Sequence, residues 1–344
     1  MMKAAYLKAP RQFEVRDIEL REITEDEVLV DVKACGYCGH DNILASYHAT
    51  EWEPFGHEFS GVVVKMGSRV RGLSIGDRVC IETNMFDPLS DVARNGRPDL
   101  DTVPLGPSFM ELDKGHRGGM GFAEQVIVPG DLCVKFDGIS FEEACMIEPL
   151  GVAYDIVMTA DIHLNHDVLV FGCGPIGLMA MKLARASGAR KIYAAQHSGS
   201  AARCALAKRY GADEIIFTDK QKLEDYSFEK GGVDRVLMTV PPKFMGEALA
   251  VMNAGGILSF AGISYNEPMV SFDSNKVHLD KLQIRGSNAI PALYFPMCID
   301  MVKAGIVELK PLISHRMHIE TLPEDLARYY AERDKAVKAV MMRD

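Results

Sequence analysis

Short apolar runs separated by glycine-rich turns dominate the first 150 or so residues of the chain. Runs such as 28–32 and 61–64 have the length and β-branched content of strands, and long helical periods are scarce. Between about 84 and 118 the pattern gives way to a polar stretch rich in Asp, Pro and Gly, which is typical of a long surface segment. The first half of the chain is therefore predicted to be mostly β, with a lobe or lid inserted into it.

From residue 167 onward, short β-type runs alternate with helical spacers. Six strands separated by helices are the pattern of a doubly wound parallel sheet, with helices on both faces. The six predicted strands cover residues 168–171, 191–195, 214–217, 235–240, 257–261 and 282–285. The first spacer has one apolar face at helical spacing, formed by Ile176, Met179, Ala180, Leu183, Ala184 and Ser187. A later helix is predicted over 296–304 and a last strand over 338–341, where the tail is expected to rejoin the first domain.

Composition and charge limit the possible partners of the chain. It has 344 residues, 48% of them hydrophobic and 25% charged, which indicates a globular protein of two domains. The net charge of -10, with no basic stripe, argues against a nucleic-acid partner. The sequence has no apolar run of the roughly 18 residues that a membrane span needs, and its N-terminus lacks a signal-peptide core. Eight irregularly spaced cysteines fit reduced thiols, so a cytoplasmic location is expected.

A glycine-rich turn follows the first predicted strand of the parallel sheet. Its residues are Gly172, Cys173, Gly174, Pro175, Ile176 and Gly177. In this pattern the first glycine makes the tight turn, the second lets the backbone approach a pyrophosphate, and the third lets helix and strand pack closely. The phosphates would lie at the helix N-terminus, where free N–H groups and the helix dipole favour negative charge. We predict an NAD or NADP site here; the alternative is a plain structural turn.

The end of the second predicted strand bears on the choice between the two dinucleotides. An acidic residue there commonly holds the adenosine ribose of NAD, and it would repel the 2′-phosphate of NADP. This chain instead has Gln196, His197 and Ser198, followed by Arg203 one helical turn later. Arg203 would suit a phosphate, but it is equally typical of a solvent-facing helix residue. We therefore predict that these four residues contact the adenosine half of the cofactor, and the choice between NAD and NADP stays open.

Residues that commonly bind zinc recur before the parallel sheet. Cys38 lies in a loop after a predicted strand, His57 and Glu58 follow about twenty residues later, and Glu148 precedes the dinucleotide domain. A thiolate and an imidazole suit zinc, and a catalytic site keeps one position open beside three protein ligands. We predict one zinc held by Cys38, His57 and either Glu58 or Glu148. Cys35 and Cys38 also form a Cys-x-x-Cys pair, but the second pair of a zinc finger and a thioredoxin-like context are both missing.

Together these motifs resemble the zinc-containing medium-chain dehydrogenases, within the polyol and sugar branch that includes sorbitol dehydrogenase. The resemblance spans nearly the whole chain, from the Cys38 loop to the Ser-His-Arg sequence at 314–316. It implies an α/β protein with a mostly β, GroES-like catalytic domain formed by residues 1–155 and 289–344. A Rossmann domain with a six-stranded parallel sheet would occupy residues 156–288. The resemblance also implies a homodimer or homotetramer built through the Rossmann sheets.

The resemblance implies roles for the candidate ligands. In that family the residues matching Cys38 and His57 bind the catalytic zinc, and Glu58 is a ligand in some members or states. The acidic residue matching Glu148 binds directly or through water. Simple-alcohol dehydrogenases typically have Cys at this position, so a glutamate implies polyol, sugar or amino-alcohol substrates. The segment from about 83 to 118 contains no Cys, so the second, structural zinc of the family is not expected.

The usual proton path of the family is altered in this chain. His40 stands where Ser or Thr is usual, and Ile43 replaces the relay histidine. An imidazole with a pKa near 6.5 could accept the proton of an alcohol, so we assign a catalytic role to His40; the alternative for His40 is a structural hydrogen bond. We also assign a catalytic role to Glu148, which the resemblance places beside the zinc. The predicted reaction is zinc-dependent hydride transfer from a secondary alcohol of a polyol or sugar-like substrate to NAD(P)+, giving a ketone. The alternatives are a zinc-free quinone or enone reductase and a non-catalytic dinucleotide-binding protein.

Overall fold

The computed structural model describes residues 1–82, 86–101, 120–264, 266–288 and 294–344. Within these ranges the strands are β1 (Met2–Lys8), β2 (Gln12–Ile18), β3 (Glu27–Gly36), β4 (Glu53–Pro54), β5 (Glu58–Met66), β6 (Arg78–Ile81), β7 (Gln125–Pro129), β8 (Cys133–Lys135), β9 (Asp167–Phe171), β10 (Lys191–Gln196), β11 (Glu214–Phe217), β12 (Val233–Met238), β13 (Met252–Phe260), β14 (Gln283–Gly286), β15 (Ile313–Met317) and β16 (Lys338–Met342). The helices are α1 (Gly39–Ile43), α2 (Asp91–Arg94), α3 (Phe141–Ala144), α4 (Ile147–Thr159), α5 (Pro175–Ala186), α6 (Ala201–Arg209), α7 (Met245–Ala250), α8 (Ser274–Leu279), α9 (Phe295–Lys303) and α10 (Leu322–Ala331).

Six strands form the predicted parallel sheet. Their order is β11-β10-β9-β12-β13-β14, and every neighbouring pair is parallel. All five residues of β9 are buried, because the strand lies in the middle of a sheet whose faces are covered. Helix α5 contacts both α4 and β9 and buries seven of its twelve residues. The prediction of an α/β fold with a Rossmann sheet is confirmed.

A second, mixed sheet contains seven strands from both ends of the chain. The path β15-β16-β3-β5-β6-β8 is hydrogen-bonded in that order, and β7 pairs with β3. Valines alternate along β3, and Val28, Val30 and Val32 are fully buried. The tail rejoins this sheet as expected, because β16 pairs antiparallel with β3 and sets Val340 opposite Gly36. Strand β1 lies between β2 and β4 in a separate three-stranded sheet.

The predicted domain limits and the predicted lobe remain predictions. The mixed sheet takes its strands from within 27–135 and 313–342, and the parallel sheet from within 167–286. Helix α4 crosses the position proposed for the first boundary. Of the polar segment around 84–118, the structure describes α2 and its surroundings, and the remainder lies outside the described residues. Among the helices that the structure describes, none is long and apolar enough to cross a membrane.

Candidate active site

Antiparallel pairing of β3 with β5 brings the predicted zinc ligands together. The register sets Gly36, at the end of β3, opposite Glu58, at the start of β5. Cys38 follows Gly36 by two residues and His57 precedes Glu58 by one, so both side chains lie at the same end of the ladder. Gly56 turns the chain into β5 with a φ of 96°, and a Cβ there would overlap Phe122 and Cys35. Glycine is required at this turn, which directs His57 into the site.

The Cys-Gly-His-Asp sequence forms the first turn of α1. Cys38 is the N-cap, and its Sγ accepts the His40 N–H at 3.4 Å. Asp41 completes a capping box, because its Oδ2 accepts the Cys38 N–H at 3.0 Å. The other oxygen, Oδ1, lies 3.5 Å from Nδ1 of His57. One carboxylate, 1% exposed, therefore contacts both predicted ligand residues.

The donor atoms of Cys38, His57 and Glu58 form one group. One atom from each side chain lies within 4.8 Å of the other two, close enough for a single ion to contact all three. A thiolate, an imidazole and a carboxylate are donors that zinc accepts in sites with an open position. No hydrogen-bond partner satisfies the buried Nδ1 of His57 at normal length. The residues therefore fit a zinc ion.

The charges around His57 also favour a cation. Burial alone would lower the pKa of His57, but the Cys38 thiolate and the Asp41 carboxylate outweigh burial and raise it well above its usual value. Burial raises the pKa of Cys38, and His57 opposes that shift. The negative charges of Cys38 and Asp41 thus favour positive charge beside His57, and a divalent ion would be attracted more strongly than a single proton.

Lys338 and Glu58 form a buried ion pair behind the donor group. The Lys338 ammonium donates to Oε2 of Glu58 and, at 3.1 Å, to the carbonyl of Tyr37. The two residues are 3% and 1% exposed. Gly36 makes room for the pair, since a Cβ at this position would overlap Oε2 of Glu58. Strand β16 pairs antiparallel with β3, with Val340 opposite Gly36. Continued by two residues, this register sets Lys338 opposite Cys38.

Glu148 and His40 lie next to the donor group without belonging to it. Glu148 lies in the first turn of α4. In the described part of the chain it does not belong to the group of donor atoms that lie within 4.8 Å of one another. Burial raises its pKa to about 7, and the charges of His57 and Glu58 also act on it. The ring centroid of His40 lies 6.1 Å from that of His57. Of the two carboxylates left open from the sequence, the structure brings Glu58 to Cys38 and His57.

The glycine turn has the geometry of a phosphate-binding turn. Gly172 has a φ of 105°, and a Cβ at Gly177 would collide with the Gly172 carbonyl, so neither position accommodates a side chain without strain. Gly174 is the N-cap of α5 and Pro175 its first residue, which suits the fixed φ of proline. A Cβ at Gly174 would meet no atom within 4 Å, so the space beside it is open.

The predicted adenosine contacts have different environments. Gln196 accepts the Cys173 N–H at 2.9 Å and so supports the glycine turn. Nδ1 of the exposed His197 accepts the Gly199 N–H at 3.1 Å. Arg203 donates to the Ala336 carbonyl at 3.0 Å and lines the cavity described below.

The end of β10 has no acidic residue of its own, as the sequence shows, but a carboxylate from elsewhere in the chain contacts it. Asp219, two residues beyond β11, accepts both the N–H and the hydroxyl of Ser198, at 2.7 and 2.5 Å. Strands β10 and β11 are parallel neighbours with Gln196 opposite Phe217, so their following residues meet at one edge. The carboxylate thus comes from the next strand rather than from β10 itself.

One cavity joins the metal group to the glycine turn. It has a volume of about 550 Å³ and is lined by residues from both parts of the chain, with Cys38 and Glu58 on one side and Gly174 to Gly177 on the other. The basic residues of its lining are Arg11, Arg203, Arg333 and Lys338, and Glu58 is the acidic one. A mainly cationic cleft in a chain of charge -10 suits an anionic ligand such as a dinucleotide.

Sequence reasoning missed Lys338, Asp219 and the contact of Asp41 with His57. Lys338 is the first residue of the last predicted strand. A lysine at the start of an apolar run was the one signal in the sequence that could have pointed to a buried charge there. Asp219 follows a predicted strand by two residues, which places it at the edge where parallel strands carry ligand-binding groups.

Comparisons with known proteins match both parts of the chain. Residues 24–138 match the family model described as alcohol dehydrogenase GroES-like domain, and residues 175–304 match zinc-binding dehydrogenase. L-threonine 3-dehydrogenase of Pectobacterium atrosepticum is 30% identical over 335 residues, which cover 93% of this chain and 88% of the relative. Sorbitol dehydrogenase of Arabidopsis thaliana is 28% identical over 361 residues, covering 98% and 94%. A putative zinc-binding dehydrogenase from Sinorhizobium meliloti, solved with NADP, superposes with a TM-score of 0.84 at 26% identity, covering 100% of this chain and 99% of that one.

A GroES-like β domain combined with a Rossmann sheet defines a two-part dehydrogenase. The chain belongs to the zinc-dependent medium-chain dehydrogenase family, in its polyol branch, and is an NAD(P)-dependent alcohol dehydrogenase.

Proposed function

We propose that the protein catalyses hydride transfer between a secondary alcohol of a polyol or sugar-like substrate and NAD(P)+, with one zinc ion per chain. The products are the ketone, NAD(P)H and a proton. The observation that carries this proposal is the shared cavity: Cys38 and Glu58, two of the three grouped donors, line the same space as the glycine turn. Cys38, Glu58 and the N-terminus of α5, which would hold the dinucleotide phosphates, therefore open into one space, and a bound dinucleotide would supply the hydride acceptor there.

The chain's own residues have distinct tasks in this proposal. Cys38, His57 and Glu58 hold the ion, and Asp41 orients His57 through Nδ1. Lys338 holds the Glu58 carboxylate against the floor of the site. Bound zinc would supply Lewis-acid polarisation of the substrate oxygen. His40, partly buried beside His57, is proposed to accept the alcohol proton.

The substrate class rests on Glu148 and on the relatives. A second carboxylate next to the donor group adds hydrogen-bond acceptors that suit a substrate with several hydroxyls. Sorbitol and L-threonine, named for two of the relatives, both carry a secondary alcohol with a polar neighbour. We therefore propose substrates with vicinal polar groups rather than simple alcohols.

Zinc content and alcohol oxidation test the proposal together. The purified protein should hold about one zinc per chain, and Cys38→Ser should lose both the zinc and polyol oxidation. Cys133→Ser is the matched control, since Cys133 is also partly buried, lies near the Pro129 carbonyl and is not among the grouped donors. Undiminished oxidation by Cys38→Ser would exclude the zinc mechanism. Metal-free protein that reduces quinones or enones would favour the zinc-free alternative.

Two broader expectations belong to the same proposal. Strand β14 is the edge of the parallel sheet, and in the described chain it pairs with β13 alone, which leaves one side open to a second copy. We infer a homodimer or homotetramer, to be tested by light scattering. All eight cysteines are free, in keeping with a reducing, cytoplasmic setting.

A further inference from the structure

We propose that Asp219 holds the adenosine ribose and makes this protein prefer NAD over NADP. The inference rests on the dinucleotide half of the proposed function and is independent of zinc. The comparisons do not make this choice, because one similar structure contains NADH and another contains NADP.

The position of Asp219 is that of a ribose-binding carboxylate. In a Rossmann sheet the adenosine ribose lies at the carboxyl end of the second strand, and a carboxylate there accepts hydrogen bonds from its hydroxyls. The second strand is β10, and Ser198 lies two residues beyond its end. Asp219 accepts the Ser198 N–H at 2.7 Å and the Ser198 hydroxyl at 2.5 Å. The carboxylate is therefore fixed at this edge, although it belongs to the loop after β11.

The charge of Asp219 is available to a ligand. Its side chain is exposed, and its two hydrogen bonds from Ser198 leave further acceptor positions on both oxygens. Those bonds hold its pKa at about 2, so the group is ionised at neutral pH. Within the described residues, no Lys, Arg or His forms an ion pair with it. Ribose hydroxyls can donate to this carboxylate, whereas a 2′-phosphate would lie against a negative charge.

Nearby cations do not offset this charge. Arg203 donates to the Ala336 carbonyl and lines the central cavity with Tyr329 and Val337, so it faces the mixed sheet. The Lys220 ammonium lies 4.9 Å from the ring centroid of Phe217. His197, whose charge would act on Asp219, accepts the Gly199 N–H through Nδ1. Asp219 is therefore the charged side chain that contacts Ser198 directly among the described residues.

Calorimetric titration of the full-length protein with NADH and with NADPH tests the inference. The wild type should bind NADH at least about 10-fold more tightly than NADPH, because a doubly charged phosphate would face an ionised carboxylate. Asp219→Asn keeps the size and most hydrogen bonds of the side chain. It should strengthen NADPH binding by about 10-fold and weaken NADH binding by a few-fold. Asp225→Asn removes the same charge from an exposed residue that is not the acceptor for Ser198, and it should change neither affinity.

A second variant separates charge from loop structure. Ser198→Ala removes the hydroxyl that Asp219 accepts but keeps the carboxylate, so it should still reject NADPH. Tighter binding of NADPH by the wild type, an unchanged NADH-to-NADPH ratio in Asp219→Asn, or equal relaxation in Ser198→Ala would each overturn the role of Asp219. Failure to bind either dinucleotide would instead refute the dinucleotide site, and with it the proposed function.

Discussion

Oδ1 of Asp41 lies 3.5 Å from Nδ1 of His57, while Oδ2 of the same carboxylate accepts the Cys38 N–H. A carboxylate behind a metal-binding histidine fixes the ring orientation and makes the ring a better ligand. Asp41→Asn keeps the shape and can still cap α1, but it loses the charge. We expect zinc affinity to fall by about 10- to 100-fold, measured by competition with a chelator.

The control for this variant is Asp17→Asn, which removes an equal charge from an exposed side chain paired with Lys3 at 3.1 Å. Zinc affinity should be unchanged in that variant. If Asp41→Asn held zinc as tightly as the wild type, Asp41 would be a helix cap and nothing more.

Two glycines of the same turn should respond differently to alanine. Gly174 has open space where its Cβ would be, and its φ of -71° suits any residue. Gly174→Ala should therefore fold with an unchanged melting temperature but bind dinucleotide about 10-fold more weakly, because the methyl group occupies the phosphate space. At Gly177 the Cβ would strike the Gly172 carbonyl, so Gly177→Ala should lose about 2–4 kcal/mol of stability. Equal melting temperatures for the two variants would contradict this assignment.

The secondary structure of the parallel sheet was largely predictable because its signals are local. Strand β11 has the predicted bounds, and α5 differs by one residue at each end. The start of β13 was missed by five residues, because Asn253 to Gly256 has turn-type composition. The structure nevertheless pairs Met252 with Val233, through an irregular register and a φ of 76° at Gly255. Tertiary pairing overrides local preference there.

The chemistry of the site was predictable only where residue type carried it. Cys38 and His57 stood out because few other roles explain them together. Lys338 could not be assigned, since its partner Glu58 is 280 residues away and only the pairing of β16 with β3 joins them. Asp219 was missed for the same reason. It lies beside Ser198 because β10 and β11 are neighbours in the sheet, and the sequence does not state the strand order.

Glu27 provides a test of pH-dependent stability at the start of β3. Arg21 donates to both its oxygens at 2.8 Å, and this pairing, opposed by burial, lowers its pKa from 4.5 to about 2. A carboxyl whose folded pKa is depressed stabilises the fold above its unfolded pKa and loses that contribution as the pH falls toward the folded value. Because Arg21 is 29% exposed and solvent screens the pair, we expect Glu27→Gln to cost about 1–2 kcal/mol at pH 7.

Urea titrations between pH 7 and pH 3 measure this cost. The difference from wild type should be constant down to about pH 4.5 and should shrink below it. Glu25→Gln, on an exposed side chain paired with Arg69 at 3.1 Å, should differ little from wild type at any pH. A cost for Glu27→Gln that is independent of pH would assign it to packing.

His40→Ala separates a proton-transfer role from a structural one. A group that accepts the alcohol proton contributes about 100-fold or more to the rate, so kcat should fall by that factor. KM and zinc content should stay near wild type, because His40 lies beside the donor group rather than in it. A structural role would instead lower zinc content and activity together. His163→Ala, on an exposed loop, is the control.

Lys338→Met should reveal how zinc compensates a buried charge. Lys338 is the ion-pair partner of Glu58, and both are almost fully buried. Removing one member of such a pair leaves an uncompensated charge, which costs about 3–5 kcal/mol. In zinc-loaded protein the ion supplies positive charge to Glu58, so the loss of stability should be clearly smaller than in metal-free protein.

The free energy of unfolding, measured with and without a chelator, gives the two values. Lys335→Met, which breaks an exposed pair with Glu332, should cost less than about 1 kcal/mol in both states. If Lys338→Met lost the same stability with and without zinc, the ion would not contact Glu58. Glu148, the alternative third ligand, would then replace Glu58 in the proposed ligand set.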